Sequence, residues 1–169
     1  MRACLARIAP RHSVMNQPVM LDGRSLTIAD VEGVARGGRA VSLAASARNQ
    51  MLRAHQHVDR IVRDREVVYG VTTGFGKLSE VAIPPDRLAE LQVNLVRSHA
   101  SGVGENLTRE ATRAMMLLRA NVLAKGYSGA RPQLPELLVD MLNAGLWPPI
   151  PEQGSVGASG DLAPLAHLG

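Results

Sequence analysis

The stretch Gly154 to Gly169, GSVGASGDLAPLAHLG, gathers residues whose chemistry lies in the backbone rather than in side chains. Glycines fall at 154, 157 and 160, Ser159 precedes the last of them, and Asp161 follows it. An amide nitrogen is a poor nucleophile, and a carbonyl two residues upstream is normally out of its reach. Glycine removes the Cβ obstacle and admits backbone angles closed to other residues. If Gly160 N is pressed onto the carbonyl carbon of Ala158, a five-membered ring closes. Loss of water from that ring, and of the Ser159 hydroxyl as a second water, leaves a conjugated methylene. Such a group is a strong electrophile, which no ordinary side chain provides. The same three residues also make a common surface loop, and taken alone they favour the loop.

Other motifs of familiar appearance fail on spacing. GVTTGFGK carries Gly76-Lys77, but a phosphate-binding loop needs glycine where Val71 stands and a magnesium-holding hydroxyl where Leu78 stands. GSVGASG spaces its glycines by three and is not a dinucleotide fingerprint. A nucleophile elbow around Ser159 would need glycine two residues either side; Gly157 fits and Asp161 does not. His55 and His57 are two apart and do not share a helix face, which argues against a metal site and for solvated side chains.

The elements that must position the glycine stretch read as mainly helical. LTIADVEGVARGG predicts a short helix with Thr27 as N-cap, Asp30 as its capping-box partner and Gly37-Gly38 as its end. Ala47, Met51, Ala54, Val58 and Ile61 predict a second helix starting near Ser42. Val67-Val68-Tyr69 is a brief β-prone run that breaks into a glycine-rich loop. Pro84-Pro85-Asp86 opens a third helix, with Leu88, Leu91, Leu95 and Val96 as its buried residues. Thr108 caps a fourth, whose buried stripe is Ala111, Met115, Leu118 and Val122. A fifth follows Pro135, WPPIP is an extended lead-in, and Asp161 stands where a sixth helix would be capped.

Composition narrows the function classes. Aromatic residues make up 2% of the chain, so the core must be aliphatic, which suits helix packing. The net charge is +4, and all but Lys77 and Lys125 of the 19 basic residues are Arg. They are scattered beside acids, as in DRIVRDRE, and not clustered as a nucleic-acid footprint would be. The expectation is no nucleic-acid partner. A single cysteine, Cys4, forms no internal disulfide and suits a reducing compartment. No apolar run approaches the ~18 residues of a membrane span. Residues 1–19 are expected to be a disordered extension rather than a targeting segment, and residues 20–169 one unit cut off at its C-terminal end.

Several separated segments agree on one family. GSVGASGDLAPLAHLG resembles the cofactor-forming segment of the histidine and aromatic amino acid ammonia-lyases, in which Ala-Ser-Gly cyclises to 4-methylideneimidazol-5-one, MIO. YGVTTGFGKLSE resembles that family's tyrosine loop, NLVRSHASGVGE its substrate-selecting segment, and LLRANVLAKGYSGARPQL a further block. The likeness runs from about residue 20 to residue 169. It implies the N-terminal part of the mainly α ammonia-lyase fold, with a glycine-rich MIO loop and few short strands.

The resemblance also implies roles. Ala158, Ser159 and Gly160 match the MIO precursor, with Gly157 and Asp161 supporting the cyclising loop. Tyr69 matches the catalytic base; Gly70, Gly74, Phe75 and Gly76 match the lid loop over the site. Ser98-His99 falls at the selectivity position, where a Ser-His pair is typical of histidine-specific members. Thr72 departs from the Asn that many of those members carry. The implied reaction is elimination of ammonia from L-histidine to give trans-urocanate, with no metal and no diffusible cofactor. Its alternatives are a phenylalanine or tyrosine ammonia-lyase, an MIO aminomutase, or an inactive helical fragment. Family members are longer and act as cytoplasmic homotetramers with sites shared between subunits. The 169-residue chain alone is therefore expected to be inactive and not to mature MIO.

Overall fold

In the computed structural model, residues 17–155 and 162–169 are described. The first helix forms where the capping signal stands. Strand β1 (Val19–Leu21) leads to α1 (Ile28–Ala35). The Thr27 hydroxyl accepts from the Asp30 amide, and the Asp30 carboxylate accepts from the Thr27 amide at 3.1 Å, so two orphan donors of the first turn are satisfied reciprocally. Arg39 adds an ion pair to Asp30 at 2.8 Å. The Thr27 hydroxyl, helped by the Thr27 amide and Arg39, holds the Asp30 carboxyl below its usual range.

The chain then enters β2 (Val41–Leu43), where the spacing had predicted the start of the second helix. Val41, the one β-branched residue of the strand, is buried, and its burial and the pairing with β1 outweigh the helical neighbourhood. Strands β1 and β2 pair in parallel, Val19 opposite Val41 and Leu21 opposite Leu43, with α1 as the crossover. The outward edge of β2 is occupied by one side chain. Asn143 accepts from Val41 N through Oδ1 and donates to Val41 O through Nδ2, each at 2.9 Å.

Helix α2 (Ala45–Arg63) buries Ala47, Met51 and Ile61. After it, Val67-Val68-Tyr69 forms no strand but a turn, in which Val71 and Thr72 amides both return to the Val68 carbonyl. A single turn at Pro85–Arg87 opens α3 (Leu88–His99). None of the α3 residues expected to be buried is so: Leu88, Leu91 and Leu95 are half-buried and Val96 is exposed. Strand β3 (Val103–Asn106) then precedes α4 (Arg109–Ala124), whose first turn is capped by the Thr108 hydroxyl accepting from Ala111 N.

Helix α4 is apolar on two sides, and the core takes the other one from that predicted. Met116, Leu117, Ala120, Leu123 and Ala124 are buried, whereas Leu118 and Val122 remain 48% and 51% exposed. Helix α5 (Gln133–Asn143) begins two residues before Pro135, which its first turn tolerates because no intrahelical amide is needed there. Ile150 is fully buried beyond WPP, and β4 (Pro151–Gln153) pairs antiparallel with β3. Helix α6 (Leu162–Leu168) closes the described structure.

The core lies where α1, α4 and α5 pack over the β1–β2 pair. It joins Leu21, Val34, Val41, Met51, Met116, Leu117, Leu138 and Leu142. Each such side chain stabilises the fold by about 1.5–3 kcal/mol through burial. Arg113 sits among them, 1% exposed, and no ion pair to it occurs among the described residues. Its guanidinium donates to Val34 O and Leu142 O at 2.9 and 3.0 Å, near the C-terminal ends of α1 and α5. Two negative helix ends thus compensate one buried cation, although burial still lowers its pKa.

Candidate functional site

The loop bearing Tyr69 is pinned by two buried threonines. Thr72 accepts from Val68 N through its hydroxyl and donates to Glu66 O; its own backbone carbonyl accepts from Ile83 N. Thr73, fully buried, accepts from Gly70 N at 3.2 Å and donates to Gly74 O at 2.9 Å. An antiparallel bridge between Thr73 and Ala82 completes the brace. Between these anchors Gly70 takes φ +73°, and a Cβ there would stand 3.3 Å from the Phe75 ring. Only glycine combines that backbone angle with that approach. Phe75 in turn meets the Tyr69 ring edge to face, with centroids 5.9 Å apart.

His99 arrives from the C-terminal turn of α3. Its Nδ1 donates to the Leu95 carbonyl at 2.8 Å, since a carbonyl can only accept. In the neutral ring this leaves Nε2 as an acceptor. Ser98 directs its hydroxyl back to the same Leu95 carbonyl at 2.8 Å and does not face the cleft described next.

Tyr69, Phe75, His99, Arg119, Leu162 and Leu165 line one cleft of about 400 Å³. Tyr69 is 63% exposed and brings its phenol to an open rim. Tyr69 and Phe75, from one loop, and His99, from α3, were all singled out from the sequence, and they line the same cleft. Gly74 and Gly76 shape the loop from outside the cleft; Gly74 N donates to Val81 O and Gly76 has φ +55°. Thr72, the departure from the histidine-specific pattern, lines a different hollow and acts here as a loop brace. Gly157, Ala158, Ser159, Gly160 and Asp161 lie outside the described residues. Leu162, which follows Asp161 in the sequence, lines the cleft.

Sequence reasoning missed Arg119. It half-buries in the cleft wall, and no ion pair to it occurs among the described residues. Nothing in the sequence marked it: Arg109, Arg113 and Arg119 share α4, and of the three only Arg119 lines this cleft. His55, expected to be solvated, instead donates through Nδ1 to Gly129 O at 2.8 Å and ties the loop after α4 to α2. Among the described residues no cluster of His, Cys, Asp and Glu could hold a metal ion, and no helix is long and apolar enough to cross a membrane.

Comparison with known proteins places this geometry. The family described as aromatic amino acid lyase matches residues 26–169. A histidine ammonia-lyase of Streptococcus pyogenes is 53% identical over 154 residues, covering 91% of this chain and 30% of that protein. Histidine ammonia-lyase from Trypanosoma cruzi has a solved structure with TM-score 0.80 at 44% identity, covering 90% of this chain and 28% of its own. The ergothioneine-degrading enzyme ergothionase from Treponema denticola aligns with TM-score 0.85 at 32% identity, covering 89% and 30%. The chain spans about 30% of the length of the curated relatives it matches. The sequence blocks, the helical architecture and these likenesses agree, and the chain belongs to the aromatic amino acid lyase family.

Proposed function

We propose that the protein to which this chain belongs is a histidine ammonia-lyase. It eliminates ammonia from L-histidine to give trans-urocanate, in the cytoplasm and as a homotetramer. One observation carries the choice of substrate: His99 lines the same cleft as Tyr69 while its Nδ1 is tied to the Leu95 carbonyl. The remaining ring nitrogen can accept from an imidazole N–H, a match that phenylalanine does not offer. The 53% identity to a protein named histidine ammonia-lyase supports the same substrate. Fold alone does not select it, since ergothionase aligns with the higher TM-score.

In this reading Ala158, Ser159 and Gly160 form MIO, with Gly157 and Asp161 supporting the segment that cyclises. The group supplies an electrophile of a kind no side chain offers. The chain's own residues do the rest. His99, with Ser98 beside it, orients the substrate ring. Tyr69 takes the β-proton, which is otherwise barely acidic. Phe75, on the turn allowed by Gly70, Gly74 and Gly76, covers the reacting atoms and excludes water.

The test is an assay of the complete gene product with L-histidine and with L-phenylalanine. Urocanate release, followed by its ultraviolet absorbance, is expected from histidine at a kcat/KM well above any turnover of phenylalanine. His99→Phe should lower the histidine value most, and Ser159→Ala should abolish turnover. A preference for phenylalanine or tyrosine, a β-amino acid product, or full activity in Ser159→Ala would overturn the proposal.

A further inference from the structure

Gly102 is the point on which three elements close. It follows α3 and the selecting pair Ser98-His99, and it leads directly into β3. Its amide donates to Nε2 of His167, in the last turn of α6, at 2.9 Å. A Cβ on Gly102 would stand 2.9 Å from that nitrogen and 3.1 Å from both His167 Cδ2 and Pro151 Cβ. Gly154, just past β4, has φ +136°, and a Cβ on it would stand 3.0 Å from Gly102 Cα and 3.2 Å from Ala163 Cβ. The backbone therefore leaves this point at Gly154 and has returned to it by Ala163 and His167. The residues between these anchors in sequence include Ala158, Ser159 and Gly160.

We propose that His167 and Gly102 form a clamp that fixes the two ends of the segment carrying Ala158-Ser159-Gly160, making His167 a positioning residue for ring formation. The inference rests on the function proposed above. Ring formation joins Gly160 N to the Ala158 carbonyl carbon. The Ala158 oxygen leaves as water with the Gly160 and Ser159 amide protons; the Ser159 hydroxyl and Cα proton leave as a second water. No oxidant or reductant enters. The step has no external partner, so its rate depends on how often the backbone brings the two atoms together. Ends that wander independently lower that frequency, and ends held on one glycine raise it. The contact requires Nε2 to be an acceptor, because the Gly102 amide is already the donor. It also ties the selecting end of α3 to the same point, so one hydrogen bond registers the substrate side against the segment that forms the ring.

The experiment uses the complete gene product in three forms: wild type, His167→Leu and His167→Gln. The readouts are the fraction of the 158–160 peptide lacking two waters, by mass spectrometry, and the melting temperature. Gln keeps an acceptor for the Gly102 amide and Leu does not. Read at the same short time after synthesis, before wild-type ring formation is complete, ring content in His167→Leu is expected to be roughly tenfold lower, the order of effect of one lost hydrogen bond on a rate, with His167→Gln close to wild type. Equal ring content in wild type and His167→Leu overturns the clamp and leaves the proposed function standing. So does a loss in His167→Gln as large as that in His167→Leu, which would mark packing rather than the acceptor. A wild-type protein that loses no water overturns the proposed function itself. Should His167→Leu not fold, His167→Gln alone decides: folded protein with little ring refutes the clamp, and folded protein with full ring supports it.

Discussion

Tyr69 stands at an open rim, its ring braced edge-on by Phe75 and its turn braced by two threonine hydroxyls. Removing only its oxygen leaves that packing in place. Tyr69→Phe in the complete gene product should therefore lower kcat for histidine by about 10²–10⁴-fold with little change in KM, the range expected for loss of a proton-transfer group. Steady-state urocanate release measures both constants, and an unchanged kcat would remove Tyr69 from the chemistry. Tyr69 and His99 were singled out through the family blocks that hold them rather than by residue type, and both line the cleft. Arg119 and Thr73 were not. An arginine within an apolar helix and a threonine within a glycine loop carry no signal until folding shows which cavity one borders and which carbonyl the other reaches.

Helix α1 shows an element whose ends the sequence specifies. Its capping box forms as the residues predict, because Thr27 and Asp30 need only each other. Thr27→Ala should cost about 1 kcal/mol of stability, read as a lower midpoint in chemical denaturation. The Asp30 carboxyl is held below its usual range, first by the Thr27 hydroxyl. A carboxyl whose folded pKa lies below its unfolded value of ~3.9 stabilises the fold above that value, and the contribution vanishes as pH falls through the folded pKa. The gap in melting temperature between wild type and Asp30→Asn should thus be largest near neutrality and close in acid; a gap that stays constant with pH would refute the assignment. Helix α4 shows the opposite case. Met116 and Leu118 are equally apolar in the sequence, yet one is fully buried and the other half open. Periodicity tells that a helix has an apolar side, and only its neighbours tell which of two sides faces them. The strand at Val41–Leu43 was hidden for a related reason, since its partner β1 lies about twenty residues away and pairing leaves no local mark.

At the scale of the whole molecule, the cleft is open: Tyr69 is mostly exposed, and beside Leu165 the stripe of Met115, Leu118 and Val122 forms an apolar hollow. Elimination chemistry needs water kept from the reacting atoms. The 169-residue chain by itself should therefore release no urocanate from histidine, and turnover by the isolated chain would contradict the proposal that the site needs the rest of the protein. Contiguous apolar surface of this kind marks where a protein meets another surface, and α4 offers it. The small sheet does not. With both polar groups of Val41 taken by Asn143, the β-ribbon ends in an amide that imitates a neighbouring strand without being one. A foreign strand arriving at that residue finds no free donor or acceptor to zip against. Recruitment by edge-on strand addition is shut off at this position.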